Sequence, residues 1–319
     1  MYPELKHVAN NSIGVVIPTH RAEVHLSRLL PILAASSLQP RILVIDSSSD
    51  DNTLLVAQEY GAETLVIPRN EFNHGSTREL GRKYLNTDIV VMMTQDAYPV
   101  GEEMLEHLVL PLLSGEASVS YGRQIPHAGA DIFEAFPRAF NYPAVSHIRS
   151  IADVENYGVF TFFCSDSCAA YVNTALDETG GFSPILTNED YFAVAKLLQH
   201  GYRIAYVAEA VVEHSHGYTL RQEFQRYFDT GYVRAVNPWV TAVVGSAEGR
   251  GRAFLRVFLQ ELAVNKPLLI PYALLNTLVK WLGYRVGFCS LNAPVRLKKM
   301  LSGQKHYWTS RAFLDHESR

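Results

Sequence analysis

Short apolar runs alternate with helical patterns through residues 12–93, and this alternation constrains the fold more than any other feature of the chain. The runs are rich in Val and Ile, which is typical of strands buried on both faces. The predicted strands are Ser12–Pro18, Arg41–Asp46, Glu63–Ile67 and Ile89–Met93. The predicted helices between them are Glu23–Ala35, Thr53–Tyr60 and Thr77–Leu85. Strands separated by helices in this order predict an α/β fold with a doubly wound, mostly parallel sheet.

Carboxylates stand where two of these strands end. Asp46 closes the second strand, and Asp96 shortly follows the fourth. Ligands of open α/β sheets bind beyond the carboxyl ends of the strands, and a carboxylate there can hold a metal ion that in turn holds a phosphate. The alternative is structural: Asp46 would cap the next helix, and Asp96 would be a turn residue before Tyr98-Pro99.

The composition is that of a globular protein of one or two domains, with 319 residues of which 48% are hydrophobic. Charge is unevenly distributed: residues 1–249 carry 16 Lys and Arg against 29 Asp and Glu, whereas residues 250–319 carry 12 against 3. A basic tail on an acidic body predicts that the tail meets something anionic. The sequence has three cysteines, an odd number that fits a reducing compartment. It has no signal sequence and no apolar run of about 20 residues that could span a membrane. These features predict a cytoplasmic protein.

Beyond Pro99 the periodicity is weaker. Residues 122–158 are rich in Pro, His and aromatic side chains and are predicted to be irregular; long loops of this kind are usually functional. From about residue 250 the chain is predicted to be helical. The other predicted elements are the strands Ala117–Tyr121, Val159–Phe163, Ala169–Val172 and Tyr202–Val207 and the helices Met104–Leu113 and Tyr191–Gln199.

The sequence lacks the glycine-rich loops that cradle phosphates, since neither GxxxxGK[ST] nor GxGxxG follows a predicted strand. A phosphate ligand would therefore be neutralised by a metal ion and by arginines. Arg78 and Arg82, one helical turn apart, fit that role, although a solvated helix face is the plain alternative.

Two further polar clusters stand at element ends. Glu189-Asp190 opens a predicted helix, and His214 and His216 follow a late strand with a spacing that places both rings on one side of an extended segment. The structural alternatives are helix capping for the acidic pair and surface positions for the histidines.

Five short motifs occur in one order along the chain. They are Ile17-Pro18-Thr19, Val44–Ser49, His74–Arg78, Thr94–Ala97 and Asn188–Asp190. Their order resembles the inverting glycosyltransferases of family 2, which have the GT-A fold, over about residues 12–240. Phe72–Arg78 together with Thr94–Ala97 is similar to the rhamnosyltransferase branch, which builds bacterial surface polysaccharide from dTDP-L-rhamnose.

The resemblance implies a nucleotide-sugar site at the strand ends. Asp46 would accept a hydrogen bond from the base, and Arg78 would face the diphosphate. The full set of implied nucleotide-sugar-binding residues is Pro18, Thr19, Arg21, Asp46, Ser48, His74, Arg78 and Gln95.

A divalent cation, Mn²⁺ or Mg²⁺, is the implied cofactor. Asp96 matches the second carboxylate of the family's metal-binding Asp-x-Asp, but Thr94 stands at the first position. His214 and His216 would supply further ligands, and imidazole suits Mn²⁺ better than Mg²⁺.

Asp190 matches the family's catalytic base, with Glu189 as the runner-up. The acceptor hydroxyl attacks the anomeric carbon opposite the leaving nucleotide, so a base must accept its proton. The helix dipole would keep Asp190 acidic and therefore ionised. The residues expected to border the acceptor are 122–158, with Tyr142, His147 and Arg149, and Phe162–Asp166.

Two domains are expected: a GT-A domain at 1–245, with 1–100 binding the nucleotide sugar and 101–245 the acceptor, and a basic helical region at 246–319. The basic region could bind a membrane surface, which would make the protein peripheral on the inner face of the cell membrane, or it could pack on the body or on a second subunit of a homo-oligomer.

The predicted activity is transfer of a deoxysugar, L-rhamnose from dTDP-L-rhamnose, to a free or lipid-linked saccharide in O-antigen or capsule synthesis, with no nucleic acid partner. A UDP-linked glucose or galactofuranose donor is an alternative. Thr94 in place of an acid gives weight to another, a non-catalytic membrane-associated scaffold with a degenerate transferase domain. A nucleotidylyltransferase would need a glycine-rich loop after the first strand, which Pro18–Arg21 does not supply.

Overall fold

The computed structural model describes residues 11–245 and 248–317, which form two compact units. The first unit runs to Ala152 and continues through Phe162–Ser183 and Glu189–Ser215. The second contains Asp153–Thr161, Pro184–Asn188 and the chain from His216 onward. Small parts of both predicted domains lie outside the described residues, namely 1–10, 246–247 and 318–319.

The described part of the first unit is built on a mixed sheet of nine strands. In chain order they are β1 (Ile13–Thr19), β2 (Arg41–Asp46), β3 (Glu63–Val66), β4 (Ile89–Met93), β5 (Tyr98–Pro99), β6 (Val119–Ile125), β7 (His147–Arg149), β8 (Cys168–Val172) and β9 (Ile204–Glu213). Their spatial order is β3-β2-β1-β4-β8-β6-β9-β5, with β7 paired to β9. Strands β1 to β4 are mutually parallel, so their carboxyl ends lie at one edge.

The apolar runs form strands because the sheet is covered on both faces. Val15, Val16 and Ile17 of β1 are fully buried, and so are the residues of β4 from Val90 to Met93. The covering helices of this unit are α1 (Glu23–Ala34), α2 (Thr53–Glu59), α3 (His74–Leu85), α4 (Met104–Leu113), α5 (Ile132–Asn141), α7 (Asn173–Glu178) and α8 (Glu189–Gln199). The predicted parallel arrangement is confirmed for the first four strands, whereas β8 runs antiparallel to both β4 and β6.

Two predictions for the middle of the chain are wrong. Residues 122–158 are not irregular, because they contain the end of β6, all of α5 and β7, and α6 (Val154–Tyr157). The predicted strand Val159–Phe163 is mostly a 3₁₀ turn. Helix α5 begins at a sound cap, since the Asp131 carboxylate accepts hydrogen bonds from two N–H groups of its first turn. The sequence did not predict α5 because it contains Pro137, and an internal proline ordinarily ends a helix.

The second unit is helical in its described residues. Besides α6 it contains α9 (Leu220–Val236), α10 (Pro238–Val244), α11 (Glu248–Asn265), α12 (Ile270–Phe288), α13 (Val295–Leu301) and α14 (Arg311–Glu317). Helices α9 and α12 approach backbone to backbone: a Cβ at Gly231, Gly283 or Gly287 would lie 2.0 to 2.5 Å from a carbonyl oxygen of the other helix. This packing places α9 with the C-terminal helices, although the sequence suggested a boundary after residue 245.

Candidate active site

The ends of β1 and β2 are joined through a buried carboxylate. Pro18 and Thr19 complete β1 beside Asp46, the last residue of β2. Asp46 is fully buried and accepts hydrogen bonds from the Ser49 N–H (2.8 Å), the Ser49 hydroxyl (2.5 Å) and the Thr19 hydroxyl (3.3 Å). These contacts hold the loop after β2. Asp46 does not cap α2, whose N-cap is Asn52, so the capping alternative is wrong. A contact of Asp46 with the nucleobase stays a prediction.

Two loops at this edge contain residues with left-handed backbone. Arg21 has φ 50° and Ser48 has φ 54°, and such non-glycine residues concentrate at functional loops. The Ser48 hydroxyl donates to a backbone carbonyl at 2.8 Å. Gln95, after β4, binds the loop after β1. Its Oε1 accepts a hydrogen bond from the His20 N–H (2.9 Å), and its Nε2 donates one to the His20 carbonyl (3.2 Å). The predicted nucleotide-binding residues of β1, β2 and β4 are thus brought together.

Arg78 of α3 lies in a buried cluster of charges. Its side chain is 3% exposed, and its Nη1 lies 2.7 Å from Glu189 Oε1. Its Nε lies 3.1 Å from Asp166 Oδ2, an ion-pair distance without hydrogen-bond alignment. His74 Nδ1 lies 3.3 Å from Arg78 Nη1. The guanidinium that was predicted to face a diphosphate is instead enclosed by two carboxylates, so its burial argues against that contact.

Asp190 is the most exposed of the three carboxyl groups near Arg78. Helix α8 begins at Glu189, after Asn188 in the left-handed conformation (φ 63°). Glu189 is buried, whereas Asp190 is partly exposed. Asp190 Oδ2 accepts a hydrogen bond from the Asp166 N–H at 3.3 Å, and its Oδ1 accepts one from the Tyr191 N–H at 2.7 Å. Of the two adjacent acids, only Asp190 can therefore meet a hydroxyl group from outside.

Burial and like charges raise the pKa values of Asp190 and Asp166. Burial raises the pKa of Asp190 well above its ordinary value, and Glu189 and Asp166 raise it further. Burial also raises the pKa of Asp166 to about 6, against the opposing effect of Arg78. The expectation that the helix dipole keeps Asp190 acidic is therefore wrong, because desolvation and neighbouring carboxylates outweigh a terminal effect of about 0.3–1 kcal/mol. A carboxylate of raised pKa is a better proton acceptor once it is ionised.

A second polar group lies after β4 and β9. Asp96 Oδ1 and His214 Nε2 are 3.6 Å apart. His214 Nδ1 lies 3.0 Å from Gln124 Oε1, while Gln124 Nε2 donates to the Ser165 hydroxyl at 2.8 Å. Because the Gln124 amide N–H is used by Ser165, its oxygen faces His214 and accepts the imidazole proton from Nδ1. His214 thus points its second ring nitrogen, Nε2, toward Asp96.

Asp96 and His214 form a group that could hold a divalent cation. A carboxylate oxygen with an imidazole nitrogen is a donor set that Mn²⁺ accepts. Hydrogen bonding of the second ring nitrogen is typical of metal-ligating histidines. The 3.6 Å between the two ligand atoms is less than twice a metal–ligand bond of about 2.1 Å. Thr94 Oγ1, at the position of the missing acid, is buried without a hydrogen-bond partner among the described residues. His216 begins the second unit, and its part in the site stays a prediction.

Two residues expected to border the acceptor lie in the core. Arg149 is fully buried and donates to the Tyr121 hydroxyl (2.9 Å) and the Phe163 carbonyl (2.7 Å). Tyr142 is buried too, with its ring against those of Tyr121 and Tyr206. A saccharide cannot reach a fully buried guanidinium, so the prediction for Arg149 is wrong and its role is structural.

Sequence reasoning missed the part that Gln124 plays in the site, and it named Ser165 and Asp166 only within the segment expected to border the acceptor. Gln124 and Ser165 set the tautomer of His214, and Asp166 pairs with Arg78 while accepting a hydrogen bond from the Tyr171 hydroxyl at 2.7 Å. Ser165 and Asp166 are consecutive, so one short segment contacts both the His214 group and Asp190. The available signal was a polar Gln124 in a buried strand.

Comparison with known proteins agrees with the family resemblance seen in the sequence. The family model described as "Glycosyl transferase family 2" matches residues 14–180. The chain is 38% identical over 302 residues to the O-antigen chain rhamnosyltransferase RfbN of Salmonella typhimurium, covering 93% of this chain and 96% of the relative. It is 39% identical over 303 residues to the O-antigen chain rhamnosyltransferase WbaN of Salmonella anatum, covering 94% and 96%.

A solved structure shows the same fold at low identity. The mannosyltransferase PcManGT of Pyrobaculum calidifontis, solved in complex with GDP-Man and Mn²⁺, superposes with a TM-score of 0.60 at 14% identity, covering 91% of this chain and 94% of that one. The predicted GT-A fold is confirmed by this likeness.

Proposed function

The chain belongs to glycosyltransferase family 2 and is a glycosyltransferase, and from this premise we propose that it transfers L-rhamnose from dTDP-L-rhamnose to a saccharide acceptor in O-antigen synthesis. Two relatives matched over almost their whole length are named as O-antigen chain rhamnosyltransferases, which supports the sugar and the product class. Capsule in place of O-antigen would leave the chemistry unchanged. We assign donor binding to the loops after β1 and β2 and acceptor binding to residues 101–245.

Asp190 is the base of the proposed reaction. The observation that carries this assignment is the partial exposure of Asp190 beside a buried Glu189. The acceptor hydroxyl attacks the anomeric carbon on the side opposite the nucleotide, and Asp190 accepts its proton as the new bond forms. Arg78 does not touch the substrates in this account. It is a positioning residue that neutralises Glu189 and Asp166 and so holds the start of α8 in place.

Asp96, His214 and His216 are the proposed ligands of a divalent cation, with Mn²⁺ favoured by the imidazoles. When bound, the cation supplies positive charge to the leaving diphosphate. His214 would contribute Nε2 of a ring that Gln124 orients through Nδ1, and Asp96 would contribute a single carboxylate. His216 is included because it follows His214 by two residues on the same segment beyond β9.

The orientation of His214 by Gln124 gives a direct test of the metal site. We expect Gln124→Leu to weaken Mn²⁺ binding about 10–100-fold, because the imidazole then loses the partner that fixes its tautomer. Gln124→Glu keeps an acceptor beside Nδ1 and should bind Mn²⁺ nearly as the native chain does. Calorimetric titration of Mn²⁺ measures both, with the exposed Gln58→Leu as the matched control. Equal Mn²⁺ affinity in Gln124→Leu and the native chain would remove His214 from the ligand set.

The donor is tested by binding. Titration calorimetry of the purified chain with Mn²⁺ is expected to show dTDP-L-rhamnose binding at least about tenfold more tightly than UDP-glucose or UDP-galactofuranose, a difference of about 1.4 kcal/mol. Tighter binding of a UDP-sugar would replace the proposed donor. Failure of every nucleotide sugar to bind would favour the non-catalytic scaffold.

A further inference from the structure

Helix α12 of the second unit has two faces of different character. Its inner face is small and packs on α9, with Gly283 and Gly287 against the carbonyl oxygens of Phe224 and Phe228. Its outer face is large, apolar and exposed. The side chains of that face are 41% to 51% exposed and comprise Leu274, Leu275, Leu278, Trp281 and Leu282. On a helix these positions form one continuous stripe, which we call the α12 apolar face.

The segment of the chain that contains the α12 apolar face carries charge of a single sign. Between Glu261 and Asp315 the sequence contains eight Lys and Arg and no Asp or Glu. Arg285 is exposed one turn beyond Trp281, and Lys266 and Arg296 are exposed before and after α12. Glu223 of α9 lies 3.1 Å from Lys280 of α12, but it is buried. An exposed apolar stripe on a segment that carries only cations is complementary to a membrane surface, which is apolar inside and anionic outside.

The alternatives fit this surface less well. A second copy placed face to face on α12 would bring two sets of cations together with no acidic residue between Glu261 and Asp315 to neutralise them. Crossing the bilayer is not indicated, since no described helix is both long enough and apolar enough to span one. Trp281, near the C-terminal end of the stripe, is a residue type enriched at the membrane–water boundary.

We propose that the α12 apolar face lies in the surface of an anionic lipid bilayer, with Leu278 and Trp281 in the acyl boundary and Arg285 and Arg296 at the headgroups. The contact is interfacial and reversible, because a helix lying in the surface buries only one side. The inference deepens the proposed function, because it would bring the transferase to a lipid-linked saccharide. The binding itself needs no donor, so it can fail or succeed independently of the rhamnose assignment.

Vesicle co-sedimentation of the full chain tests the proposal. The chain is expected to sediment with phosphatidylcholine vesicles that contain phosphatidylglycerol and to bind pure phosphatidylcholine vesicles at least about tenfold more weakly, with affinity falling as salt is added. The double variant Leu278→Asp/Trp281→Asp should lose at least about tenfold in affinity. Arg285→Gln/Arg296→Gln should lose the preference for phosphatidylglycerol while keeping residual binding.

The matched control is Val24→Asp/Leu55→Asp, which changes two exposed apolar residues of the first unit. It should bind vesicles as the native chain does. Unchanged dTDP-L-rhamnose affinity, with an unchanged circular dichroism spectrum, would show that the α12 variant is folded. Native-like vesicle binding by Leu278→Asp/Trp281→Asp would overturn the proposal. So would a native chain that binds no vesicles and sediments as a dimer which this variant dissociates, because the face would then belong to a second copy.

Discussion

Asp190→Asn is expected to lower kcat for sugar transfer by about 10²–10⁴-fold, the range that general-base catalysis contributes. The amide preserves the shape of the side chain but cannot accept the hydroxyl proton. Affinity for dTDP-L-rhamnose should stay within about twofold, because the lost interaction belongs to the transition state. Initial rates at saturating donor, combined with donor titration, separate the two effects. The matched control is Asp177→Asn on α7, whose carboxylate is 61% exposed and is expected to leave kcat unchanged.

The raised pKa of Asp190 gives this prediction a pH dependence with a definite sign. Only the ionised carboxylate accepts a proton, so kcat/KM should rise with pH through the elevated pKa of Asp190. Asp166→Asn removes a neighbouring negative charge, lowers the pKa of Asp190 and should move the rising limb to lower pH. An Asp190→Asn enzyme that retained native kcat would show that Asp190 is not the base.

Arg78→Met is expected to lower the free energy of unfolding by about 3–5 kcal/mol, because it leaves buried carboxylates without their cation. The native guanidinium lies 2.7 Å from Glu189 and 3.1 Å from Asp166, and both acids are buried. Urea unfolding measures the loss. Arg41→Met is the control. Its partner Glu63 is also a carboxylate, but the two side chains are 49% and 35% exposed, so the pair should contribute about 1 kcal/mol or less.

The double variant Arg78→Met/Glu189→Gln should recover part of this loss, because it removes a carboxylate that has lost its partner. Another outcome would support the diphosphate contact of Arg78 that the resemblance implies. If Arg78→Met unfolds like the native chain but binds dTDP-L-rhamnose much more weakly, Arg78 faces the diphosphate and the positioning role is wrong.

The sequence allowed the sheet and the polar strand ends to be predicted because both are local patterns. Continuous apolar runs identified β1, β2 and β4, and strand β2 and helix α4 occur with their predicted bounds. Parallel pairing then brought Thr19 and Asp46 side by side, since residues that end parallel neighbours meet at one edge. Helix α5 in the middle of the chain could not be predicted in this way, because Pro137 lies inside it and a proline ordinarily ends a helix.

The role of Arg78 could not be predicted, because it depends on a partner 111 residues away in the sequence. Helical spacing showed only that Arg78 shares a face with His74 and Arg82, and a solvated face or a phosphate site would give the same pattern. The prediction that Asp190 stays acidic failed for the same reason. The helix terminus is visible in the local sequence, whereas the burial and the Asp166 carboxylate that raise the pKa of Asp190 come from tertiary packing.

The central claim is that Asp190 and the Asp96–His214 group serve rhamnose transfer from dTDP-L-rhamnose. Its most direct test is transfer of labelled rhamnose from dTDP-L-rhamnose to the lipid-linked saccharides of an O-antigen-producing membrane, catalysed by the purified chain with Mn²⁺. We predict that the native chain transfers the label, and that a metal chelator or Asp190→Asn abolishes the transfer. Label transferred from UDP-glucose or UDP-galactofuranose but not from dTDP-L-rhamnose would contradict the account.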